Sequence, residues 1–306
     1  MKFTCCLFIA LIFIACSGDS NEPIIAHENN AKIEFKDFTE KISYCIGLDH
    51  AFAAFTVYGA PENKSKFDIH QVETGMIDYL MGNDLRIPFD SRDSIFELYL
   101  LDDGSVNEAA ISKADASYAI GMEEGFALVG SLVGRGIDQV VYVDMLVNGI
   151  QDGMRATEPA VSIVEARTEV ANYYTKLNRE NGELFLKENA QRDSVFVTAS
   201  GLQYTVYKEG KGLKPNITDT CIVHYTGRFI DGREFESTIP SQRPAVFSPL
   251  GLVPGWQEAL LLMHEGSQYR VFMPSELAYG EKGSGPIEPY STLVYDIELI
   301  KVKRFR

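Results

Sequence analysis

Basic side chains are scarce in this 306-residue sequence. Lysine and arginine together number 28, against 43 aspartates and glutamates, so the formal net charge is −15. Binding to nucleic-acid phosphates requires clustered lysine and arginine. The balance therefore argues against nucleic acid as a partner, while it says nothing about the fold.

Cysteine is also scarce, with only five in the chain. No spacing of cysteine and histidine is typical of a metal site, and no motif indicates a nucleophile or a cofactor, so neither metal nor cofactor is expected. Cys45 and Cys221 each lie in an apolar-patterned segment. For these two residues we prefer buried structural thiols to a disulfide.

The N-terminus reads as a targeting signal. Lys2 precedes an uncharged, mostly apolar run over 3–15, which is too short to span a bilayer and has the length of a signal-peptide core. The run ends at Cys16, and the order of small residue, cysteine and polar tail resembles a bacterial lipobox. The alternative is a plain secretory signal with an incidental cysteine.

This resemblance implies a lipoprotein signal peptide over 1–15, lipidation of Cys16 and a flexible polar tether over 16–37. Acyl chains on one cysteine would hold the protein on a membrane. The expected location is the bacterial cell envelope, with the outer membrane preferred and both its periplasmic and surface faces left open.

A duplicated unit follows over 38–158. Residues 43–48 match 117–122, and residues 74–78 match 148–152, both at an offset of 74. Two matches at one offset indicate an internal repeat. Each unit reads as two short helices, the first with a face of small residues, which lets helices approach closely. Such faces serve either packing within one chain or interlocking between two chains, and we expect a homodimer.

A long connecting helix is predicted over 159–193. Pro159 suits a first helical turn, and Ile163, Val170 and Leu177 recur every seven residues, a spacing typical of a helical strut. Gly182 marks a possible break.

The C-terminal region, 195–306, is rich in strand patterns. Alternating apolar residues predict strands, and one short segment around Trp256 has helical spacing. The fold class predicted is therefore α+β, an antiparallel sheet wrapped around a short helix, preceded by an all-α region and a long connecting helix. The predicted strands lie at 202–206, 220–229, 269–273 and 293–299.

Five ordered blocks in this region carry a specific resemblance. They are Val-His-Tyr-Thr-Gly at 223–227, Asp-Gly-Arg-Glu-Phe at 231–235, Val-Pro-Gly-Trp at 253–256, Leu-Ala-Tyr-Gly at 277–280, and Ser-Thr-Leu-Val-Tyr-Asp-Ile-Glu-Leu at 291–299. Their order and spacing resemble the FKBP-type peptidyl-prolyl cis-trans isomerases. The helical region resembles the N-terminal dimerisation domain of the macrophage-infectivity-potentiator type. There a Ser-Tyr-x-x-Gly helix swaps between subunits, but this chain has two such units instead of one.

The resemblance implies an isomerase acting on proline-containing polypeptides. It assigns Trp256 as the floor of a proline slot, Tyr279 as a hydroxyl donor, and Val253 as a backbone donor. Three further aromatic residues form the walls. The full implied set, with Glu236 in the place of a usual Asp, is Tyr225, Phe235, Glu236, Trp256, Tyr279 and Tyr295 for catalysis, and Phe247, Leu252, Val253 and Ile287 for substrate binding.

The residue types suit this chemistry independently of the resemblance. Rotation about an X-Pro bond breaks no covalent bond, and its barrier of about 18–20 kcal/mol is the loss of amide resonance. A catalyst needs an apolar slot and a few donors, and the sequence offers a dense aromatic set. Glu236, Tyr295 (usually Phe) and Glu288 (usually Pro) depart from the family pattern, so a client-binding chaperone without turnover is the alternative function.

Overall fold

The computed structural model describes residues 33–101, 103–155 and 158–305. The predicted signal peptide, the lipidation site Cys16 and most of the tether lie outside the described residues. Within the described ranges, no helix is both long enough and apolar enough to cross a membrane. Residues 35–306 belong to one compact unit.

The first half of the described chain is helical. Its helices are α1 Phe38–Tyr58, α2 Ile69–Met81, α3 Arg92–Tyr99, α4 Lys113–Gly134, α5 Val143–Arg155 and α6 Ile163–Asn189. The first helix of each unit, with 21 residues in α1 and 22 in α4, is longer than the short helix predicted. The short helix α3 was not predicted from the sequence.

The long helix α6 begins later than Pro159 suggested. Ser162 takes the N-cap position and its hydroxyl accepts a hydrogen bond from the Glu165 N–H at 3.2 Å, which satisfies one of the free donors of the first turn. Gly182 does not break the helix. It is buried at the point where α6 approaches Thr292 most closely.

Helices from different units interlock. Helix α1 packs against α5, and α2 packs against α4. The contacts are made at glycines: a Cβ on Gly47 would overlap the carbonyl oxygen of Leu146, and one on Gly121 would overlap that of Val72. Only glycine permits this approach of two helix backbones.

The second half of the described chain contains strands and one helix: β1 Phe196–Val197, β2 Gln203–Lys208, β3 Thr220–Phe229, β4 Glu234–Ser237, β5 Ala245–Phe247, α7 Pro254–Leu262, β6 Gln268–Met273 and β7 Leu293–Lys303. The strands form a seven-stranded antiparallel sheet in the order β1-β2-β6-β7-β3-β4, with β5 paired to β3. Alternate residues of β3, β6 and β7 pack with α7 in one core. This confirms the predicted α+β class.

Helix α6 joins the two halves by packing on the sheet. Phe185 contacts Phe272 with ring centroids 5.8 Å apart, and the buried Asn189 amide donates to the Gln203 carbonyl oxygen at 2.9 Å. Phe272 is buried although the neighbouring Val271 and Met273 enter the core around α7, because successive strand residues face opposite sides of a sheet. The sheet therefore has α7 on one face and α6 on the other.

Cys45 and Cys221 are both free and buried, as predicted. Burial raises the pKa of each thiol to about 11, because the charged thiolate is disfavoured away from water. Both thiols therefore remain protonated and inert near neutral pH.

We predict that Gly121→Ala destabilises the protein. The added methyl group would overlap the Val72 carbonyl oxygen of a packed helix, and overpacking of this kind costs about 1–3 kcal/mol. The matched control is Gly130→Ala in the same helix, where a Cβ meets no atom within 4 Å and alanine should stabilise the helix by about 0.5–1 kcal/mol. Urea unfolding measures both, and a Gly121→Ala variant as stable as the control variant would contradict the packing described.

Candidate active site

Trp256 lies in the first turn of α7 and faces the sheet. Pro254 occupies the first helical position, where its missing N–H costs nothing. A Cβ on Gly255 would lie 2.6 Å from the Met273 sulfur, so glycine is needed for the helix to approach β6 here. The indole is only 5% exposed as a result.

The predicted aromatic residues form one connected cluster around this indole. The Trp256 ring centroid lies 5.2 Å from Tyr225, 5.1 Å from Tyr295 and 6.0 Å from Phe247. Interplanar angles of 70–82° make these contacts edge-to-face, a preferred geometry for aromatic pairs. Phe235 joins through Tyr295, at 5.8 Å and 90°.

Gly227 makes room for two of these rings, and the sequence analysis did not select it. A Cβ at this position would lie 2.7 Å from Phe235 Cζ and 2.8 Å from Tyr295 Cε1. The signal that could have identified it is its place after Tyr225 on a strand otherwise made of residues with side chains. Whether glycine is required at this position depends on the side chains of the neighbouring strands, which are known only once the strand register is known.

Glu236 reaches the cluster from β4. The register pairs Gly227 with Glu236, and the Glu236 carboxylate accepts a hydrogen bond from the Tyr225 hydroxyl at 2.5 Å. Burial, and then this carboxylate, raise the pKa of Tyr225 well above its usual value. The longer acid therefore contacts the aromatic site and holds the phenol protonated in one orientation.

Leu252 and Val253 precede α7 and pack half-buried against the core. The Val253 carbonyl accepts from the backbone N–H groups of Trp256 and Gln257 at the start of the helix. Among the described residues, none accepts a hydrogen bond from the Val253 N–H. That N–H is therefore available as a donor beside the indole.

Two tyrosines complete the polar part of the site. Tyr279 is half-buried against the core, while Tyr295 is 2% exposed. Burial raises the pKa of Tyr295 far above its usual value, and the neighbouring Tyr279 raises it further. The hydroxyl that departs from the family pattern therefore stays protonated in the apolar wall.

The loop at 281–289 covers the cluster with Ile287, which is 6% exposed and packs in the core. Ser284 and Ile287 exchange two backbone hydrogen bonds of 2.8 and 2.9 Å, forming a tight turn. Gly283 and Gly285 take positive φ values of 63° and 55°, which glycine adopts without steric cost.

The helical region holds this loop through Glu288. The Arg135 guanidinium, at the end of α4, donates to both Glu288 carboxylate oxygens at 2.7 and 2.5 Å. The Arg135 side chain is 8% exposed and lies 3.8 Å from the Tyr174 ring centroid. The Asn178 amide of α6 donates to Glu288 at 3.2 Å and to the Pro289 carbonyl at 3.0 Å. Glu288, a departure from the family pattern, thus links the loop to two helices.

This ion pair sets the charge state of Glu288. Burial alone would raise the pKa of the carboxyl group, but the bidentate pair with Arg135 outweighs it and the pKa lies below its ordinary value. The pair is therefore charged at neutral pH.

A separate cavity of about 450 Å³ lies between the helical region and the β3–β4 turn. None of the residues of the aromatic cluster lines it, and both apolar side chains (Val133, Leu177, Phe229, Ile230) and polar ones do. Its lining includes Asn178, Asn181, Asp231, Arg233 and Thr292.

All ten residues predicted for the slot therefore come together. Nine of them lie in or against one core: Tyr225, Phe235, Phe247, Leu252, Val253, Trp256, Tyr279, Ile287 and Tyr295. Glu236 contacts the same group through Tyr225. The sequence analysis missed Gly227 and Arg135.

Two family models match the chain. One, for FKBP-type peptidyl-prolyl cis-trans isomerase, covers residues 211–300. The other, for a domain amino terminal to FKBP-type peptidyl-prolyl isomerase, covers residues 113–206. The second match therefore contains α4, α5 and α6, and the unit that precedes them lies outside it.

Relatives match over 62–64% of the chain. An FKBP-type 22 kDa peptidyl-prolyl cis-trans isomerase of Escherichia coli is 39% identical over 62% of this chain and 95% of its own length. An outer membrane protein MIP of Legionella longbeachae is 37% identical over 63% of this chain and 86% of its own length. The FKBP-type isomerase FkpA of Aeromonas hydrophila is 35% identical over 64% of this chain and 79% of its own length. The chain belongs to the FKBP-type peptidyl-prolyl cis-trans isomerase family.

We predict that Glu288→Gln weakens the attachment of the loop to the helices. The neutral amide leaves the buried Arg135 charge without its partner, a loss of about 1–3 kcal/mol. The pKa of Glu288 is lowered in the folded state. The stabilisation that the ionised Glu288 gives the wild-type protein is therefore fully present above the unfolded-state pKa of about 4.3, and it is lost as the pH falls through the folded-state pKa.

The control for this variant is Glu180→Gln, which removes an exposed pair with Lys176 on α6 and should change stability by less than about 0.5 kcal/mol. Thermal unfolding and hydrogen exchange of residues 283–291 measure both variants. Equal effects of the two variants, or unchanged exchange in the loop, would contradict the role assigned to Glu288.

Proposed function

We propose that the chain catalyses cis-trans rotation about X-Pro bonds in polypeptides of the cell envelope and so assists their folding. The observation that carries this proposal is the aromatic cluster around Trp256, with free polar groups at its edge. An apolar slot favours a twisted amide, whose separated charges are smaller than those of the planar resonance form. No covalent intermediate is needed.

Each residue has a part in this reaction. The Trp256 indole is the floor for the prolyl ring, and the rings of Tyr225, Phe235 and Tyr295 are its walls. Phe247 and Leu252 extend the apolar rim, and Ile287 covers the slot. These contacts accelerate rotation only where they are stronger in the transition state than in the ground state.

In this proposal, polar groups of the site bind the carbonyl groups of the substrate. The Val253 N–H and the Tyr279 hydroxyl donate to substrate carbonyl groups. The Glu236 carboxylate fixes the Tyr225 phenol, to which it is hydrogen-bonded at 2.5 Å, and it gives the slot one negatively charged edge. Donors fixed in this way stabilise the twisted amide without reorganisation during the reaction.

We predict that Trp256→Leu and Tyr279→Phe both lower turnover while the fold is kept. Leucine retains an apolar side chain in the core but loses the flat floor. Loss of the Tyr279 hydroxyl removes one donor, a cost of about 1–3 kcal/mol if its acceptor is left unpaired. The control is Tyr207→Phe, which removes a phenol hydroxyl from a side chain that is 58% exposed.

Acceleration of a proline-limited refolding reaction measures all three variants. The control should match the wild type, and the two site variants should be slower. Wild-type protein that suppresses aggregation without accelerating refolding would instead support the alternative function, a client-binding chaperone on the same scaffold. Glu236 and Tyr295, the departures within the slot, are the residues that motivate this alternative.

We place the protein on a membrane through lipidated Cys16, after removal of residues 1–15. The tether over 16–37 would separate the folded unit from the bilayer. The proposed domains are the duplicated helical region over 38–158, the connecting helix over 159–193 and the isomerase domain over 195–306. The name of the Legionella relative, an outer membrane protein, supports this location.

We predict that Cys16→Ser leaves the protein unprocessed or soluble, because serine cannot carry the thioether-linked lipid. Fractionation of cells and the mass of the N-terminal peptide measure the effect. The control is Cys5→Ser, which changes a cysteine inside the predicted signal peptide and should leave anchoring intact. A Cys16→Ser protein that remains membrane-bound and cleaved at the same site would refute the anchor.

A further inference from the structure

The close helix contacts occur in pairs that share the 74-residue offset of the sequence repeat. Gly47 meets the Leu146 carbonyl, and the residues 74 positions away from each, Gly121 and Val72, meet in the same way. Gly75 meets the Tyr118 carbonyl, and likewise Gly149 meets that of Tyr44. In each pair, one residue comes from the first unit and the other from the second.

Hydrogen bonds repeat with the same offset. The Tyr44 hydroxyl donates to Asp152 at 2.5 Å, and the equivalent Tyr118 hydroxyl donates to Asp78 at 2.9 Å. The Tyr44 hydroxyl also accepts from the Ala160 N–H at 2.9 Å, and the Tyr118 hydroxyl accepts from the equivalent Arg86 N–H at 3.2 Å. The Ser43 hydroxyl accepts from the Tyr142 N–H at 2.9 Å, and the Ser117 hydroxyl accepts from the equivalent Asp68 N–H at 2.8 Å.

Reciprocal contacts of this kind define a two-fold relation. In a two-fold interface, residue i of the first copy contacts residue j of the second copy, and residue j of the first copy contacts residue i of the second. The two units of this chain satisfy that rule for both the backbone approaches and the tyrosine hydrogen bonds. They are arranged as the two halves of a symmetric dimer.

The two units differ in the residue that lies at the two-fold axis. His50 and Glu124 are equivalent positions, and they contact each other, with His50 Nε2 3.1 Å from the Glu124 carbonyl and 3.3 Å from its carboxylate. Two copies of the same unit would place histidine against histidine or glutamate against glutamate. The pairing of unlike units is therefore electrostatically preferred.

A second asymmetry also favours the unlike pair. The buried Glu73 of the first unit pairs with Arg155 of the second at 2.7 Å, whereas the equivalent positions hold Val147 and Met81. A pair of two first units would bury Glu73 without this arginine, and an unpaired buried charge is costly.

We propose that the second unit of the chain replaces a second subunit, so that the protein is a monomer with an internal helical dimer and one isomerase domain. The homodimer expected from the sequence rested on helices interlocking between two chains, and here one chain supplies both partners. Linked units meet at an effective concentration of roughly millimolar, above that of a second chain in solution.

The third helix of each unit fits this assignment. Helix α3, Arg92–Tyr99, is equivalent to the early part of α6 and ends there, while α6 continues to Asn189 and packs on the sheet. Only the second unit therefore carries an arm to a catalytic domain. The unit outside the family match is the one that lacks the long arm.

Sedimentation of the chain from Ser17 to Arg306, which keeps the whole compact unit, tests the proposal by measuring its mass. The protein concentration should be on the order of tens of micromolar, well below the effective concentration of linked units. A single-chain mass is expected, and a double mass would overturn the proposal. The unfolding midpoint should also be the same over about a hundredfold range of protein concentration, because a monomer shows no mass-action stabilisation. A midpoint that rises with concentration would overturn it.

A carbodiimide cross-link tests which chain supplies the partner. Lys41 Nζ of α1 lies 3.0 Å from a carboxylate oxygen of Glu165 at the start of α6, so the coupled peptide should be found in a band of single-chain mass. Its presence only in a band of double mass would overturn the proposal. The variants His50→Glu and Glu124→His should each lower the midpoint, and the double variant should be more stable than the worse single variant, although it also lacks the hydrogen bond from the Tyr58 hydroxyl to Glu124. A double variant no more stable than the worse single variant would overturn the two-fold relation.

Discussion

The packing of Trp256 against the sheet is the constraint on which the rest of the structure depends. The indole reaches its place because Gly255 lets α7 approach Met273, and because Gly227 on β3 leaves space for one ring from each neighbouring strand, Phe235 of β4 and Tyr295 of β7. Three strands, β3, β5 and β7, then have to supply the rings that contact the indole at matched register. The same burial that stabilises the domain leaves an aromatic surface suited to a prolyl ring, so the core and the catalytic site are one cluster.

The helical half is connected to that site and is more than a spacer. The covering loop is held on one side by Ile287 in the core and on the other by Glu288, which is bound to Arg135 and Asn178. Because Arg135 belongs to the interlocked helices, the position of the loop depends on their packing. Glu288 gives the buried guanidinium a partner that the proline implied by the family resemblance at this position could not supply.

The sequence allowed the sheet and the slot to be predicted because their signals are local. Alternating residues on β3 and β7 and the ordered aromatic motifs required no knowledge of distant contacts. Helix α3, the α1–α5 and α2–α4 pairing, and the ion pair of Arg135 with Glu288 could not be predicted in this way, since each depends on residues far apart in the chain. The repeat offset was visible in the sequence, but the packing of α1 on α5 and of α2 on α4 was seen only in the structure. Glu236 was expected in the catalytic set in the place of a usual Asp, and the structure adds that its carboxylate accepts a hydrogen bond from the Tyr225 hydroxyl.

The central claim is that this cluster lowers the barrier to rotation about a prolyl bond without forming a covalent intermediate. The most direct measurement is exchange NMR spectroscopy of a short peptide with one X-Pro bond, which follows cis and trans signals at equilibrium. Uncatalysed exchange takes tens to hundreds of seconds. The account predicts that a substoichiometric amount of the chain from Ser17 to Arg306 produces exchange cross-peaks between the two isomers, with no covalent adduct by mass. Exchange no faster than in the peptide alone would contradict it.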